Sequence, residues 1–238
     1  MKKAIVIGAS SGIGKELSII LDQNNYRVGL VGRRKELLIN LQKELKNTSY
    51  IKCLDVSSTE ESICKLQELI QEMEGVDLII ISAGCGYINP KLDFEFEKKT
   101  IEVNVLGFTA MINAAYNYFN VKGKGHIVGI SSIAAFRGSY GEPAYNASKA
   151  YVSNYMEGLS IKAKKDKLPI IVTDIKPGFV DTDMAQGEGL FWVAPPRKAA
   201  LQIYKAIKKE KEHLYVTKRW RLVAWLLKIL PKKIYSKL

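Results

Sequence analysis

The chain has 238 residues, 47% of them hydrophobic and 25% charged, with three cysteines and a formal net charge of +12. This length supports one domain with a substantial core, and an odd cysteine count without CxxC spacing indicates neither a disulfide framework nor a thiolate zinc site. Reduced thiols point to the cytoplasm, and the charge is local: from Arg197 to Leu238 there are 13 Lys and Arg against 2 acidic residues, and before that 23 against 22.

The opening MKKAIVIG resembles the start of a secretory signal only superficially. Its apolar run, Ala4–Ile7, is shorter than the roughly 7–15 residues a signal core needs, and it reads better as a first β-strand. Predicted elements then alternate: helix GIGKELSIILDQNN, strand YRVGLVG, helix RKELLINLQKELKN, strand YIKCLDV, helix TEESICKLQELIQEME and strand VDLIIIS. A long helix follows from about Thr100 to Asn120, then strand GHIVGIS, a second long helix from about Pro143 to Lys167, and strand PIIVTDIKPG. A helix near Pro196 to Lys209, a short strand HLYV and a basic-apolar tail close the chain. Continuous rather than alternating apolar strands are those covered on both faces, so the pattern predicts parallel βαβ units with right-handed crossovers. The expected fold is α/β: a single-domain, doubly wound Rossmann fold with a seven-stranded parallel sheet. Residues 1–217 form its dinucleotide-binding and catalytic body, and 218–238 a helical extension of the same domain.

Gly8, Gly12 and Gly14 fall between the first strand and the first helix in VIGASSGIG. Glycines there permit a tight turn and let backbone and helix N-terminus approach a pyrophosphate. NAD-binding folds place an acid at the end of the second strand for the ribose 2′-OH. Here that end reads LVGRRKELL, with Gly32 in the acid's place followed by Arg33 and Arg34. A guanidinium binds a 2′-phosphate with two hydrogen bonds where a carboxylate would repel it, so the residues favour NADP(H) over NAD(H).

Tyr145 and Lys149 lie four apart on a predicted helix and share a face. A nearby ammonium favours the phenolate and is expected to lower the tyrosine's pKa. Ser132, just past a strand end, is positioned to hydrogen-bond the same reacting oxygen. Tyr140 and Tyr151 lack a lysine four residues on. His126 and His213, the two histidines, have no partner cluster, and neither a metal nor a catalytic role is assigned to them.

From about Lys2 to Val216 the chain resembles the short-chain dehydrogenase/reductase family, of the NADP-preferring carbonyl reductase type. GASSGIG resembles that family's cofactor turn, bringing Ser10, Ser11 and Ile13 into the expected cofactor set, and YNASK resembles its Tyr-x3-Lys motif. Ser132 occupies the family's catalytic-serine position, and Asn104 in EVNVLG that of the asparagine holding a proton-relay water. The resemblance further implies that Asp55 and Val56 contact adenine, that Ala83 and Gly84 lie along the cofactor, and that Pro177, Gly178, Val180 and Thr182 flank the nicotinamide. ISAG, with Ser82, departs from the family's Asn-Asn-Ala-Gly. The implied chemistry is NADP(H)-dependent reduction of a ketone, or oxidation of the secondary alcohol, by a homodimer or homotetramer. A non-catalytic NADP(H) sensor or scaffold would be expected to have lost one of these residues. A nucleic-acid binder would need a basic groove that the near-neutral body does not offer.

The loop DTDMAQGEGLFWVAPP carries Gly187 and Gly189, suited to a hinged lid, and Met184, Leu190, Phe191, Trp192 and Val193 as an apolar inner surface. With Cys85, Gly86 and Tyr87 as another wall, it suggests an apolar or acyl-chain substrate. RLVAWLLKIL in the tail is too short to span a bilayer, which takes about 20 apolar residues. Two readings stand open: the tail packs over the pocket or a neighbouring subunit, or it lies on the anionic inner face of a membrane.

Overall fold

The computed structural model describes residues 1–184 and 191–235. Strands β1 (Lys2–Ile7), β2 (Tyr26–Gly32), β3 (Ser49–Cys53), β4 (Leu78–Ile81), β5 (Gly125–Ile130), β6 (Ile170–Pro177) and β7 (His213–Val216) form one parallel sheet of order β3-β2-β1-β4-β5-β6-β7. The order reverses direction at β1, so the cleft between β1 and β4 opens at their carboxyl ends, where ligands bind in such sheets. In register, Ile7 faces both Val31 and Ile81, which brings the loops after β1, β2 and β4 out at one level.

Helices α1 (Gly12–Gln23), α2 (Lys35–Glu44) and α7 (Pro196–Lys208) cover one face; α3 (Thr59–Glu72), α4 (Phe94–Ile101), α5 (Phe108–Lys122) and α6 (Pro143–Lys165) cover the other. Strand side chains alternate between the two layers. Ile5, Ile7, Ile79 and Ile81 pack with Leu69, Met111, Phe119 and Met156, while Ala4, Val6 and Ile80 pack with Leu17, Leu21 and Ile203. The unbroken apolar runs Ala4–Ile7 and Leu78–Ile81 follow from burial on both faces.

The first long helix begins at Phe94 rather than near Thr100. Asp93 supplies the start, its carboxylate accepting from the Glu95 N–H at 3.0 Å, and Glu95 and Glu97 follow in the first turn, where the helix dipole favours them. Between α4 and α5 the helix widens into a π-turn over Glu102–Gly107, which carries Asn104. Such bulges concentrate at functional sites because they re-aim side chains.

After β7 the tail forms α8 (Trp220–Ile229), Pro231 interrupts it, and α9 (Lys232–Tyr235) follows. Trp220 and Ala224 are buried with Ile133 against Phe136, Phe179 and Tyr215, so the tail packs on the enzyme body. Among the described residues no helix is long and apolar enough to cross a membrane.

His126 is buried on β5 beside Thr173, 2.8 Å from its hydroxyl, and burial pushes its pKa down to about 4, with Lys2 adding to the effect. Between pH 6.5 and 4 the unfolded chain therefore takes up a proton that the folded chain does not. Stability should fall by about 3 kcal/mol across that window from this group. Denaturant titrations at pH 7 and 4.5 on wild type and His126→Gln should show the variant losing that part of the acid slope.

Candidate active site

The β1–α1 turn closes on itself. Gly8 adopts φ +93, and a Cβ at Gly14 would stand 2.1 Å from the Gly8 carbonyl oxygen, so the turn is this tight only without side chains there. The N–H groups of Gly8 and Ala9 both donate to the Val31 carbonyl at 2.9 Å, tying the turn to β2. Ser11 precedes α1 in an extended conformation, and its hydroxyl does not cap the helix. It instead accepts from Arg34 Nη2 at 2.7 Å, while Ser10 Oγ accepts from Arg34 Nη2 at 3.0 Å and Nε at 3.3 Å. A helix N-terminus, two hydroxyls and a guanidinium thus converge, which is the chemistry of a phosphate site. A Cβ at Gly32 would lie 3.5 Å from Ser10 Oγ, so an acid there would confront this cluster. Arg34 also pairs at 3.9 Å with the exposed Asp183.

Arg33 turns to Asp55, 3.4 Å away. Partial burial works to raise the Asp55 pKa, but hydrogen bonds from Ser57 and the Arg33 charge outweigh it and hold the carboxyl below its usual range.

Tyr145 and Lys149 leave α6 one turn apart, with Lys149 Nζ 5.7 Å from the tyrosine ring centroid. Lys149 is only 5% exposed and donates to the Ile130 carbonyl at 3.0 Å, anchoring α6 to the end of β5. Burial lowers its pKa to about 8, against the opposing pull of Cys85 and Asp174. The Tyr145 phenol is enclosed, and burial drives its pKa up to about 12, partly offset by a hydrogen bond with Ser132. The expected lowering by Lys149 is not realised, because desolvation of the phenolate dominates and the ammonium is directed toward a carbonyl. At neutral pH Tyr145 is therefore a phenol, a proton donor.

A cleft of about 1610 Å³ joins these parts. Gly8, Ser10, Ser11, Gly12, Ile13, Arg33, Arg34, Asp55, Val56, Ala83, Gly84, Ser132, Tyr145, Lys149, Pro177, Gly178, Val180 and Thr182 all line it. Gly14 lies behind the turn. Asn104 lies behind the wall at 1% exposure: its amide donates to Cys85 O (2.7 Å) and Ser148 Oγ (3.0 Å), and its Oδ1 accepts from the Cys85 N–H (2.9 Å). It braces the loop after β4 against α6, and its Oδ1 and the Lys149 ammonium lie within 3.2 and 3.3 Å of where a Gly84 Cβ would stand.

Cys85, Gly86 and Tyr87 form one wall of the cleft, and Met184 and Phe191 another. Trp192 instead packs edge-on outside against Phe191 and Trp220, with the Arg219 guanidinium 4.9 Å over its ring, and Val193 is exposed. Gly187, Gly189 and Leu190 lie outside the described residues. The tail completes the cleft: Trp220, Val223, Leu226, Leu227, Leu230 and Tyr235 all line it. A Cβ on Gly178 would meet the Trp220 indole at 2.0 Å, so bare backbone at Gly178 is what admits the tail.

Two groups had no signal in the sequence. Asp174 is buried on β6, bonded to Ser131 beside Ser132, to Lys176, and to Ser153 one turn beyond Lys149. Arg137, which reads as an ordinary loop cation, donates from Nε to Leu227 O at 2.7 Å and from Nη2 to Leu230 O, capping the end of α8. Its guanidinium lies 5.4 Å over the Tyr235 ring, and the Tyr235 hydroxyl donates to Gly138 O at 2.7 Å. Each such charged hydrogen bond contributes about 1.5–3 kcal/mol. Arg137→Met should therefore raise amide hydrogen exchange in α8 by about tenfold or more while α1 keeps its protection; unchanged α8 exchange would show that Arg137 does not hold the tail.

Comparison with known proteins accords with this geometry. Residues 2–190 match the short chain dehydrogenase family. A protein of Myxococcus xanthus described as an uncharacterized oxidoreductase is 35% identical over 188 residues, covering 77% of this chain and 74% of its own length. A Staphylococcus aureus protein of like description is 33% identical over 184 residues, covering 76% and 79%. In fold, the chain is similar to an alcohol dehydrogenase of Thermococcus sibiricus complexed with 5-hydroxy-NADP (TM-score 0.80, 24% identity, 90% of this chain and 95% of that one). It is also similar to a short chain dehydrogenase/reductase of Burkholderia phymatum in complex with NAD (TM-score 0.84, 17% identity, 94% and 92%).

Proposed function

The chain belongs to the short-chain dehydrogenase family, and from that premise we propose that it is an NADP(H)-dependent carbonyl reductase of the cytoplasm acting on an apolar, acyl-chain ketone. The observation that carries the reading is the protonated Tyr145 phenol beside Ser132, over a buried Lys149, in the same cleft as the Ser10–Ser11–Arg34 cluster.

The carbonyl oxygen sits between the Ser132 hydroxyl, which orients it, and the Tyr145 hydroxyl, which gives it a proton. A phenol held near pKa 12 by burial supplies the acid that reduction needs, whereas alcohol oxidation would require the phenolate. Lys149, with a pKa lowered to about 8, exchanges protons readily near neutral pH and returns one to Tyr145. When bound, the nicotinamide supplies the hydride. Ser10, Ser11 and Arg34 hold the 2′-phosphate end, and Pro177, Gly178, Val180 and Thr182 lie along the nicotinamide end. Ile133, Phe179, Met184, Phe191 and Leu227 form an apolar part of the remaining lining, beside the polar Ser139, Glu142 and Asn146, and that apolar part supports an acyl chain. A second copy packs on the outer faces of α4–α5 and α6, where Ile101, Leu106, Tyr151 and Ile161 are exposed.

In NADPH oxidation assays over long-chain and small ketones, Tyr145→Phe should lower turnover by about 10²–10⁴-fold and leave NADPH binding, read by cofactor fluorescence, unchanged. Equal activity of variant and wild type would overturn the assignment. Arg34→Ala should reduce kcat/KM with NADPH by about 10–100-fold, the loss of one or two charge-assisted hydrogen bonds, and leave the NADH value within a few-fold. Parallel losses with both cofactors would remove the case for NADP(H).

A further inference from the structure

Helix α8 is apolar on two opposite sides. Trp220, Val223, Ala224 and Leu227 repeat at i, i+3, i+4 and i+7, and this face meets the enzyme. Leu222, Trp225, Leu226 and Ile229 repeat the same spacing on the far side, where they are 67%, 63%, 47% and 55% exposed. One stripe satisfies an ordinary surface helix; the second has no partner among the described residues.

The surroundings of that second stripe are of one sign. Lys218, Arg219, Arg221, Lys228, Lys232 and Lys233 are exposed along this segment, with Arg219 over the Trp192 ring and Lys228 over the Phe136 ring, and residues 218–235 contain no acidic side chain. Leu226 belongs both to this outer ridge and to the cleft lining, and Val223 and Leu230 continue inward from it. The ridge and the cleft therefore meet at Leu226. The family match ends at residue 190, before this element.

We propose that this ridge seats the protein on an anionic lipid bilayer, α8 lying in the plane of the headgroup–acyl boundary with the mouth of the cleft turned toward lipid. Trp225 is the residue type that favours the headgroup level, the leucine and isoleucine side chains enter the acyl region, and the surrounding cations meet anionic headgroups. A second copy is the poorer occupant, since a two-fold contact through this ridge would set the same six cations against themselves. The docking itself rests on shape and charge; only the corollary, that lipid-borne ketone enters along Leu226, rests on the reductase reading.

The test is co-sedimentation of the full chain with vesicles of phosphatidylglycerol and phosphatidylcholine, or of phosphatidylcholine alone, at low and high salt. Wild type should bind the anionic vesicles about tenfold or more tightly than the neutral ones and release in high salt. Leu222→Ser/Trp225→Ser/Ile229→Ser, all outside the cleft lining, should lose binding by about tenfold or more and retain wild-type melting temperature and NADPH-dependent reduction of a water-soluble ketone. Arg221→Gln/Lys228→Gln should weaken binding to anionic vesicles and leave neutral-vesicle binding unchanged. Failure of wild type to bind anionic vesicles, or equal binding by the triple variant, would overturn the proposal. A change of oligomeric mass in the triple variant would do the same by assigning the ridge to a protein contact. Vesicle binding without reduction of any ketone would sink the reductase reading alone.

Discussion

The site depends on how helix α6 is pinned to the sheet. Three polar ties run along one side of it: Ser148 accepts from Asn104, Lys149 donates to the Ile130 carbonyl, and Ser153 bonds Asp174. Val152 and Met156 fill the spaces between them with fully buried apolar contact. A buried ammonium left without a partner would be strongly destabilising, so Lys149 can sit at 5% exposure only because a carbonyl receives it. Tyr145, one turn earlier, inherits its place from that anchor. The β1–α1 turn, the strand ends and the cleft walls are then arranged around a tyrosine whose position is already determined.

Burial is the common cause behind the site's electrostatics. It raises the tyrosine, lowers the lysine and raises Cys85 beside them. Tyr145 and Cys85 are thereby held neutral, while Lys149, at about 8, remains largely an ammonium at pH 7; Arg33 and Arg34 face solvent at the other end of the cleft. Arg137 fastens the last turn of the tail helix to the body beside the cleft, which Lys232 also lines.

The parallel seven-stranded order and the glycine turn were legible because both follow from local rules. Unbroken β-branched runs alternate with helical periodicity, and glycines fall where a strand must turn sharply into a helix. The Tyr145–Lys149 pairing was legible for the same reason, since four residues on a helix fix a shared face. The start of α4 was misplaced by six residues because Asp93 caps a helix whose first turn, with Phe94 and Phe96 exposed, lacks the apolar periodicity that marks a core-facing helix.

What the sequence determined by itself was the chemistry available: which residues can bind phosphate, which can move a proton, and that the charge excess belongs to the last 42 residues. What only the tertiary structure decided was which way those residues act. Lys149 was expected to draw the Tyr145 pKa down, and enclosure drives it up. The π-turn bonds Asn104 to Cys85 and Ser148, contacts that no local pattern announces. The tail's two apolar sides blur into one broad circumference on a helical wheel. They separate into a docked face and a free ridge once Arg137, 90 residues away, grips the carbonyl of Leu227. Burial and pairing are properties of what lies far along the chain, and no local pattern encodes them.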